Sequence, residues 1–519
     1  MSREKNINIY NRMYKIMKNS KYVFLGLATI AFASCHSLPA VSRQPIDYNY
    51  ICQQAQTASQ SSYSAPDRID NNLTSAEFGQ ITFNSSKDLW REGNLPYHLE
   101  FFHLGYIYNS PVTLNEFKGA YSQELRFTND LFNFGNLDQS RINYAQNLNE
   151  GYSGFKVLCQ LNRPGSFDEL ISFLGDSKFR ALGRNNVYGA YALAYMTIGK
   201  DGGVNIAKYS YFWLGKPREG DSKIVFFAIA DCENAVSAFR YEVSQGDTCV
   251  INVKQTIYPR EKISKIAIAP MASVYVYGKA TKKSMTSLYP EMHYSDGFIL
   301  KSDNNLIFEP LENFQNNVIS EFTVKDLKYF GLVQRERNYE SYETPFLPQQ
   351  LMPNVWITPA TGWGDGKIEL FQTNTDNIDK LNIYAFWSPT EKLEPKKPYT
   401  FEYSINWSMS EHPSTLGRAS DTRIGEDGDI IRFAVKFTGD QLQKLPAVTN
   451  LIPNIKTSGN IKLNGQYQLL KDPYDNSWRV TIPISKANDK QNTDVSTIYC
   501  TLMDEKTPVT ETWYYKWIP

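Results

Sequence analysis

Helical periodicity is scarce along this chain, and that scarcity narrows the folds open to it more than any single motif. Apolar residues fall instead in short runs with the two-residue repeat of strands, which sends alternate side chains to opposite faces. Ile251, Val253 and Ile257 share one parity, in a run interrupted at Gln255. Trp478, Val480 and Ile482 alternate with Arg479 and Thr481, and Val274-Tyr275-Val276-Tyr277 is β-branched or aromatic throughout. Asn464-Gly465, between Leu463 and Tyr467, is a hairpin signal. The helices expected are short, one around Tyr50–Ala58 and one over Phe167–Leu174. Aromatic residues make up 14% of the chain, with 34 Tyr and 29 Phe. Strand packing accounts for most of them, although exposed rings also suit the apolar C–H faces of sugars. The expected class is all-β.

The length, 519 residues, exceeds the roughly 250–300 residues at which a single core stops growing, so two domains are expected. The clearest boundary is residues 388–398, SPTEKLEPKKP, a charged segment with three prolines between the apolar Ile383–Trp387 and the strand-like Tyr399–Ile405. Residues 73–387 then form the large domain. Residues 399–519 carry turn signals at the short spacing of an immunoglobulin-like sandwich. Residues 34–72 read as a polar linker with one short helix. No internal repeat of fixed period is evident.

Residues 1–33 read as a secretory signal: Lys15, Lys18 and Lys21 precede an apolar run, Tyr22–Phe32, and Ala31 and Ala33 make an A-x-A cleavage pattern. The run is too short to span a bilayer. Phe32-Ala33-Ser34-Cys35 resembles a lipobox, but Phe is a poor first residue there, so simple cleavage is favoured over lipidation of Cys35. The chain is therefore expected to be exported. The six cysteines are scattered with no C-x-x-C pair, which leaves zinc and dithiol chemistry unsupported. Cys232–Cys249 is the best local disulfide candidate, and burial as free thiols in strands is the favoured alternative.

Lys+Arg and Asp+Glu both number 54, so no basic excess exists to hold nucleic acid. There is no P-loop, no strand-linked G-x-G-x-x-G and no G-x-S-x-G. The five histidines make no H-E-x-x-H, and neither a metal nor a cofactor is expected. The densest polar cluster is Glu291-Met292-His293-Tyr294-Ser295-Asp296-Gly297. As an extended segment it would put Glu291, His293 and Ser295 on one face and Tyr294 and Asp296 on the other. As a capped turn, which Ser-Asp-Gly favours on spacing alone, it would carry no chemistry. Gln334-Arg335-Glu336-Arg337, followed by Tyr339, Tyr342 and Glu343, is a solvated strand face or an arginine clamp for sugar hydroxyls. Trp363, between Gly362 and Gly364, is a packed plug or a stacking platform.

With these clusters in view, the chain resembles the periplasmic glucan biosynthesis proteins G and D of Gram-negative bacteria. The resemblance runs through Leu89-Trp90-Arg91, Phe101-Phe102-His103, Phe179-Arg180-Ala181-Leu182-Gly183, Ile268-Ala269-Pro270, Pro290-Glu291, His293, Ser295-Asp296-Gly297, Gln334-Arg335, Trp363-Gly364, Ala385-Phe386-Trp387 and Glu511-Thr512-Trp513, in order over nearly the whole chain. It implies a large β-sandwich like that of galactose mutarotases, carrying a long groove, and then an immunoglobulin-like domain. It also implies a role in making osmoregulated glucans with a β-1,2-linked backbone, with that glucan and the inner-membrane synthase as partners. Some members resemble inverting endo-β-1,2-glucanases, whose two carboxyl groups stand about 6.5–9.5 Å apart. One of their aspartates matches Asp296; the other precedes the Asn382-Ile383 position, where this chain has Leu381. The chain also has Tyr294 and Tyr289 where the family has Asp and Arg. Asp379, two residues upstream of Leu381, substitutes for the missing acid only with a rearranged loop.

Carried onto this chain, Asp296 and Asp379 are the candidate catalytic pair. Glu291, His293, Tyr294, Arg335, Tyr342 and Trp363 are the candidate substrate contacts. The leading reading is a glucan-binding or glucan-processing protein, with trimming as an inverting endo-β-1,2-glucanase left open. The alternatives are a non-catalytic accessory of the synthase machinery and, more weakly, a mutarotase-like or lyase-like enzyme on another sugar.

Overall fold

The structure, a computed structural model, describes residues 45–148, 150–199, 203–280, 288–303, 305–487 and 495–518. The signal segment and Cys35 lie outside the described residues. The fold is all-β, built from large sheets packed face to face.

One sheet carries nine strands along its main path, in the order 97–103, 152–159, 168–174, 178–181, 191–193, 266–273, 383–389, 366–372 and 318–324. Its inner face packs on a second sheet, whose centre is the antiparallel meander 208–215, 223–232, 235–244 and 248–259. Alternation decides what goes inside. Phe155, Phe173 and Phe179 from the first sheet meet Phe212, Phe226 and Tyr241 from the second, with ring centroids 5.0–5.9 Å apart in mostly edge-on pairs. The buried hydroxyls of Tyr209 and Tyr241 satisfy each other at 2.7 Å. The expected N-terminal helix is present as Tyr48–Ser59. Asp47 caps it by accepting from the Tyr50 amide, and Ile51 and Ala55, one turn apart, bury against Trp213, Phe227 and Val236 on the outside of the second sheet.

Three sequence expectations change. Phe167–Leu174 is not a helix: Asp168–Leu174 is a strand between 152–159 and 178–181, its propensity overridden by pairing on both sides. Asn464-Gly465 does not close a hairpin. The flanking strands Ile461–Leu463 and Gln468–Lys471 both pair with Trp478–Lys486 and lie end to end along it. The proline-rich segment 388–398 does not end the large body, because Tyr399–Ser408 pairs with 248–259 on one side and 354–359 on the other. The chain leaves that body only after Ser408. Cys52, Cys159, Cys232, Cys249 and Cys500 are free thiols.

The C-terminal part packs strands 418–427, 430–438 and 478–486 against 451–458, 496–504 and 512–517. It continues the large sheet, since strand 305–310 pairs in parallel with 512–517 at Ile307–Thr512 and Phe308–Trp513. Its core includes Ile299, Leu306, Phe308, Tyr329 and Val333, so strands 297–333 serve both cores.

Beside this junction lies Glu309, fully buried. Its Oε1 accepts from Ser320 Oγ at 2.6 Å and Gln372 Nε2 at 3.2 Å, while Oε2 has no partner. Burial pushes its carboxyl from 4.5 up to about 7, against the opposing pull of Lys516. A carboxyl whose folded pKa is raised contributes stability in full below its unfolded pKa, and that stability is lost as pH rises through the folded one. The wild type is therefore expected to lose roughly 3 kcal/mol between about pH 4.5 and 7 through this group. Urea titrations across that range should show Glu309→Gln, which keeps both hydrogen bonds, losing less by about that amount.

Candidate functional site

The cluster Glu291–Gly297 is neither a regular strand nor a capped turn. Met292–His293 pairs with Tyr275–Tyr277, the chain bends through Tyr294–Asp296, and Gly297 opens the next strand. Glycine is needed at 297 because a Cβ there would stand 2.1 Å from the Phe308 ring. The bend breaks the expected alternation: Asp296 lines one pocket with Glu291 and His293 instead of sharing a face with Tyr294.

The Asp296 carboxylate accepts from the Arg335 amide at 2.8 and 2.9 Å and from the Glu336 amide at 2.7 Å. Burial nevertheless pushes this carboxyl above its ordinary range, against His293, the two amides and Arg335. The His293 ring has Glu291 Oε2 3.0 Å from Nε2 and Gln334 Oε1 2.9 Å from Nδ1. Both ring nitrogens therefore face oxygens. Tyr275 stacks on the ring and Tyr342 packs edge-on against it. The pocket in front of these groups also takes in Lys279, Glu336 and, from the C-terminal part, Asp421. It encloses about 70 Å³, room for a few waters and not for a sugar ring.

Arg335 borders this pocket, but its donors are committed to the C-terminal part. All five of its N–H donors are engaged: Nε and Nη2 with Glu411, Nη1 and Nη2 with Glu511, and Nη1 with the Ala419 carbonyl. The guanidinium lies 3.6 Å over the Phe308 ring. Burial opposes its charge, but Glu411 and Glu511 raise its pKa overall. The two expected sugar-holding aromatics are also packed. Tyr342 is fully buried, with its hydroxyl 2.6 Å from Gln334 Nε2. Trp363 is a plug against Trp387, Phe401 and Tyr403, donating to the Glu402 carbonyl.

A second region lies on the outer face of the nine-stranded sheet. Cross-strand register sets one row of side chains directly opposite one another: Glu100, Lys156, Ser172 and Arg180 in turn. Arg180 Nη1 donates to the Tyr191 hydroxyl at 3.0 Å, and from Tyr191 the row continues through Ala272, Tyr384, Phe371 and Ile319. At the usual strand spacing it is roughly 38 Å long. The opposite parity on these strands, Phe101, Phe155, Phe173, Phe179, Ala192 and Ala385, is core. Arg180 also lies over the Tyr188 ring at 4.1 Å.

Tyr294 faces this row. Burial pushes its phenol up to about 12, with Tyr191 and Asp379 adding to the shift and Arg180 opposing it. Asp379 is exposed at a turn, its amide held by Asn377 Oδ1 at 2.8 Å. Leu381 packs against the cluster of Val274, Val276 and Tyr277 on one side and against that of Leu193, Met196, Ala267, Ala272 and Phe386 on the other. The structure thus sets Asp296 in one pocket with His293, while Asp379 is felt electrostatically by Tyr294 and Tyr108.

The model of the periplasmic glucan biosynthesis protein family, MdoG, matches residues 46–517. The chain belongs to this family. Its role is in periplasmic glucan biosynthesis, and the family is periplasmic. Among the described residues no helix is long and apolar enough to cross a membrane. Among solved structures, the Slr1438 protein from Synechocystis sp. PCC 6803 is 7% identical, with 48% of this chain and 73% of that chain covered at a TM-score of 0.14. A likeness at that level bears on neither fold nor function.

The Arg335 contacts generate a test. Truncating one partner of a buried ion pair strands the others, so Arg335→Ala should cost about 3–5 kcal/mol in urea unfolding. Arg335→Lys should recover only part of that, because an ammonium cannot present the planar fork that reaches Glu411 and Glu511 together.

Proposed function

We propose that this family member binds a linear β-1,2-linked glucan along the outer row of the nine-stranded sheet. The observation that carries the reading is the row itself. Charged and hydroxyl groups at one end, Glu100 to Arg180, give way to the rings of Tyr191, Tyr384 and Phe371. A long chain bearing both hydroxyls and apolar C–H faces matches that gradient. Tyr294 and Asp379 border the same groove and contact the bound sugar. Glu291, His293 and Asp296 organise water in the pocket behind, and Arg335, Tyr342 and Trp363 hold that frame without touching the glucan. Export by the N-terminal signal places the protein where the glucan is made.

Hydrolysis is the second reading. Asp296 favours it, as a carboxyl raised by burial beside a water-sized pocket and the Glu291–His293 pair. Leu381 weighs against it, an apolar side chain packed against two apolar clusters, around Val276 and around Phe386, where the family's second acid belongs. Asp379 is the nearby acid that would have to serve instead. The binding reading therefore takes precedence.

Calorimetry with linear β-1,2-glucan should show binding to the wild type and a loss of about tenfold for Tyr191→Ala, the effect of removing one stacking ring. Product analysis should find the glucan unshortened. Shortening abolished in both Asp296→Asn and Asp379→Asn would establish the hydrolase, and no binding to the polymer would end both readings. Leu381→Asp is expected to introduce cleavage that the double variant with Asp296→Asn lacks.

A further inference from the structure

The polar end of the row opens into a pocket that the glucan-binding reading does not yet use. The sheet's edge strand, Tyr97–His103, places His98 and Glu100 on the outer face, two residues apart. Asp88, His98, Glu100, Gln160, Phe167 and Arg91 line a cavity of about 530 Å³ there, within the size range of small-ligand sites.

Its polar groups pair with one another but leave one buried acceptor, Asp88 Oδ1, unmatched. The Asp88 side chain is only 4% exposed. Its Oδ2 meets His98 Nδ1 at 3.3 Å and the exposed Arg91 at a long 3.5 Å, and its Oδ1 has no hydrogen-bond partner. Lys156 is taken up by Glu100 at 2.7 Å and Glu169 at 2.9 Å. Burial raises both Asp88 and Glu100, each with the other as a close neighbour. Two adjoining carboxyls and the His98 ring offer closely spaced acceptors for the hydroxyls of a sugar. The His98 ring lies flat on Phe167 at 3.6 Å, which fixes the half-buried Phe167 as an apolar wall. The loop beneath is held by Gly165 donating to Gln160 Oε1 at 2.7 Å. The acids do not converge on one point: among the described residues no three His, Cys, Asp or Glu side chains are grouped to hold a metal ion.

We propose that this pocket is a distal subsite for a hydroxyl-rich sugar, taking the glucosyl units at one end of the chain bound along the row. The proposal rests on the glucan-binding reading and extends it. Glu100 is the shared element, being both the first residue of the row and a wall of the pocket. Four strand spacings separate Glu100 from Tyr191, roughly 19 Å, so only a chain of several units reaches both.

The experiment is calorimetry with linear β-1,2-gluco-oligosaccharides of graded length on the wild type, Asp88→Ala, Phe167→Ala and Tyr191→Ala. Each pocket variant is expected to weaken the longest chains by about tenfold and to leave the shortest binding oligomer unchanged, while Tyr191→Ala weakens both. Asp88→Ala leaves the buried His98 Nδ1 without its carboxylate partner, so its folding is checked by its melting temperature; Phe167→Ala, at a half-buried ring, is the second variant. Unchanged affinity for long chains in both variants, or equal loss for short and long chains, would overturn the subsite and leave the groove intact. A wild type that binds no oligomer would overturn the groove reading and the subsite with it.

Discussion

Everything around the candidate site depends on one buried guanidinium. Arg335 directs five N–H groups at two carboxylates and a carbonyl, all from the chain beyond Ser408, while its own backbone amide holds Asp296. Arginine suits this place because its planar fork meets two carboxylates at once and resists deprotonation even when buried. The same residue therefore joins the C-terminal part to the large body and fixes the carboxylate that faces the water pocket. Phe308 supports both functions, lying under the guanidinium and excluding any side chain at Gly297.

The second organising constraint is sheet register. Nine strands in one sheet put every second side chain on the outer face, and register then lines up one residue from each strand. A shift of one residue in strand 178–181 would bury Arg180 and expose Phe179, breaking the row and the aromatic core together. Core packing thus enforces the geometry of the groove. The row and the Asp296 pocket lie on either side of the short segment Met292–Asp296, and Leu381 marks where the two would have to cooperate for hydrolysis.

Much of this was legible beforehand. Alternation at Trp478–Ile482 and across Ile251–Ile257 identified real strands, and the ordered short motifs identified the family that the match over residues 46–517 establishes. The failures have local causes. Asp168–Leu174 has an apolar run too short to tell helix from strand by period. Residues 388–398 look like a domain end, but the following strand finds its partners some 150 residues earlier and 45 residues earlier, at 248–259 and 354–359. Arg335 stood out as a clamp for sugar hydroxyls or a solvated face, whereas its donors go to Glu411 and Glu511, acids that lie far along the chain. Arg180, Tyr191 and Tyr384 went unremarked as a group because nothing in their spacing relates them.

The sequence by itself determined the strand class, the inward or outward parity of strands such as 248–259 and 478–486, and the family, because these follow from local side-chain chemistry and the order of motifs. Tertiary structure alone decided that Arg335 is an anchor, that Tyr342 and Trp363 are packing, that Asp296 turns toward His293, and that Glu100 through Ile319 form one line. Those outcomes depend on which distant strands pair and in what register, and a two-residue period specifies neither.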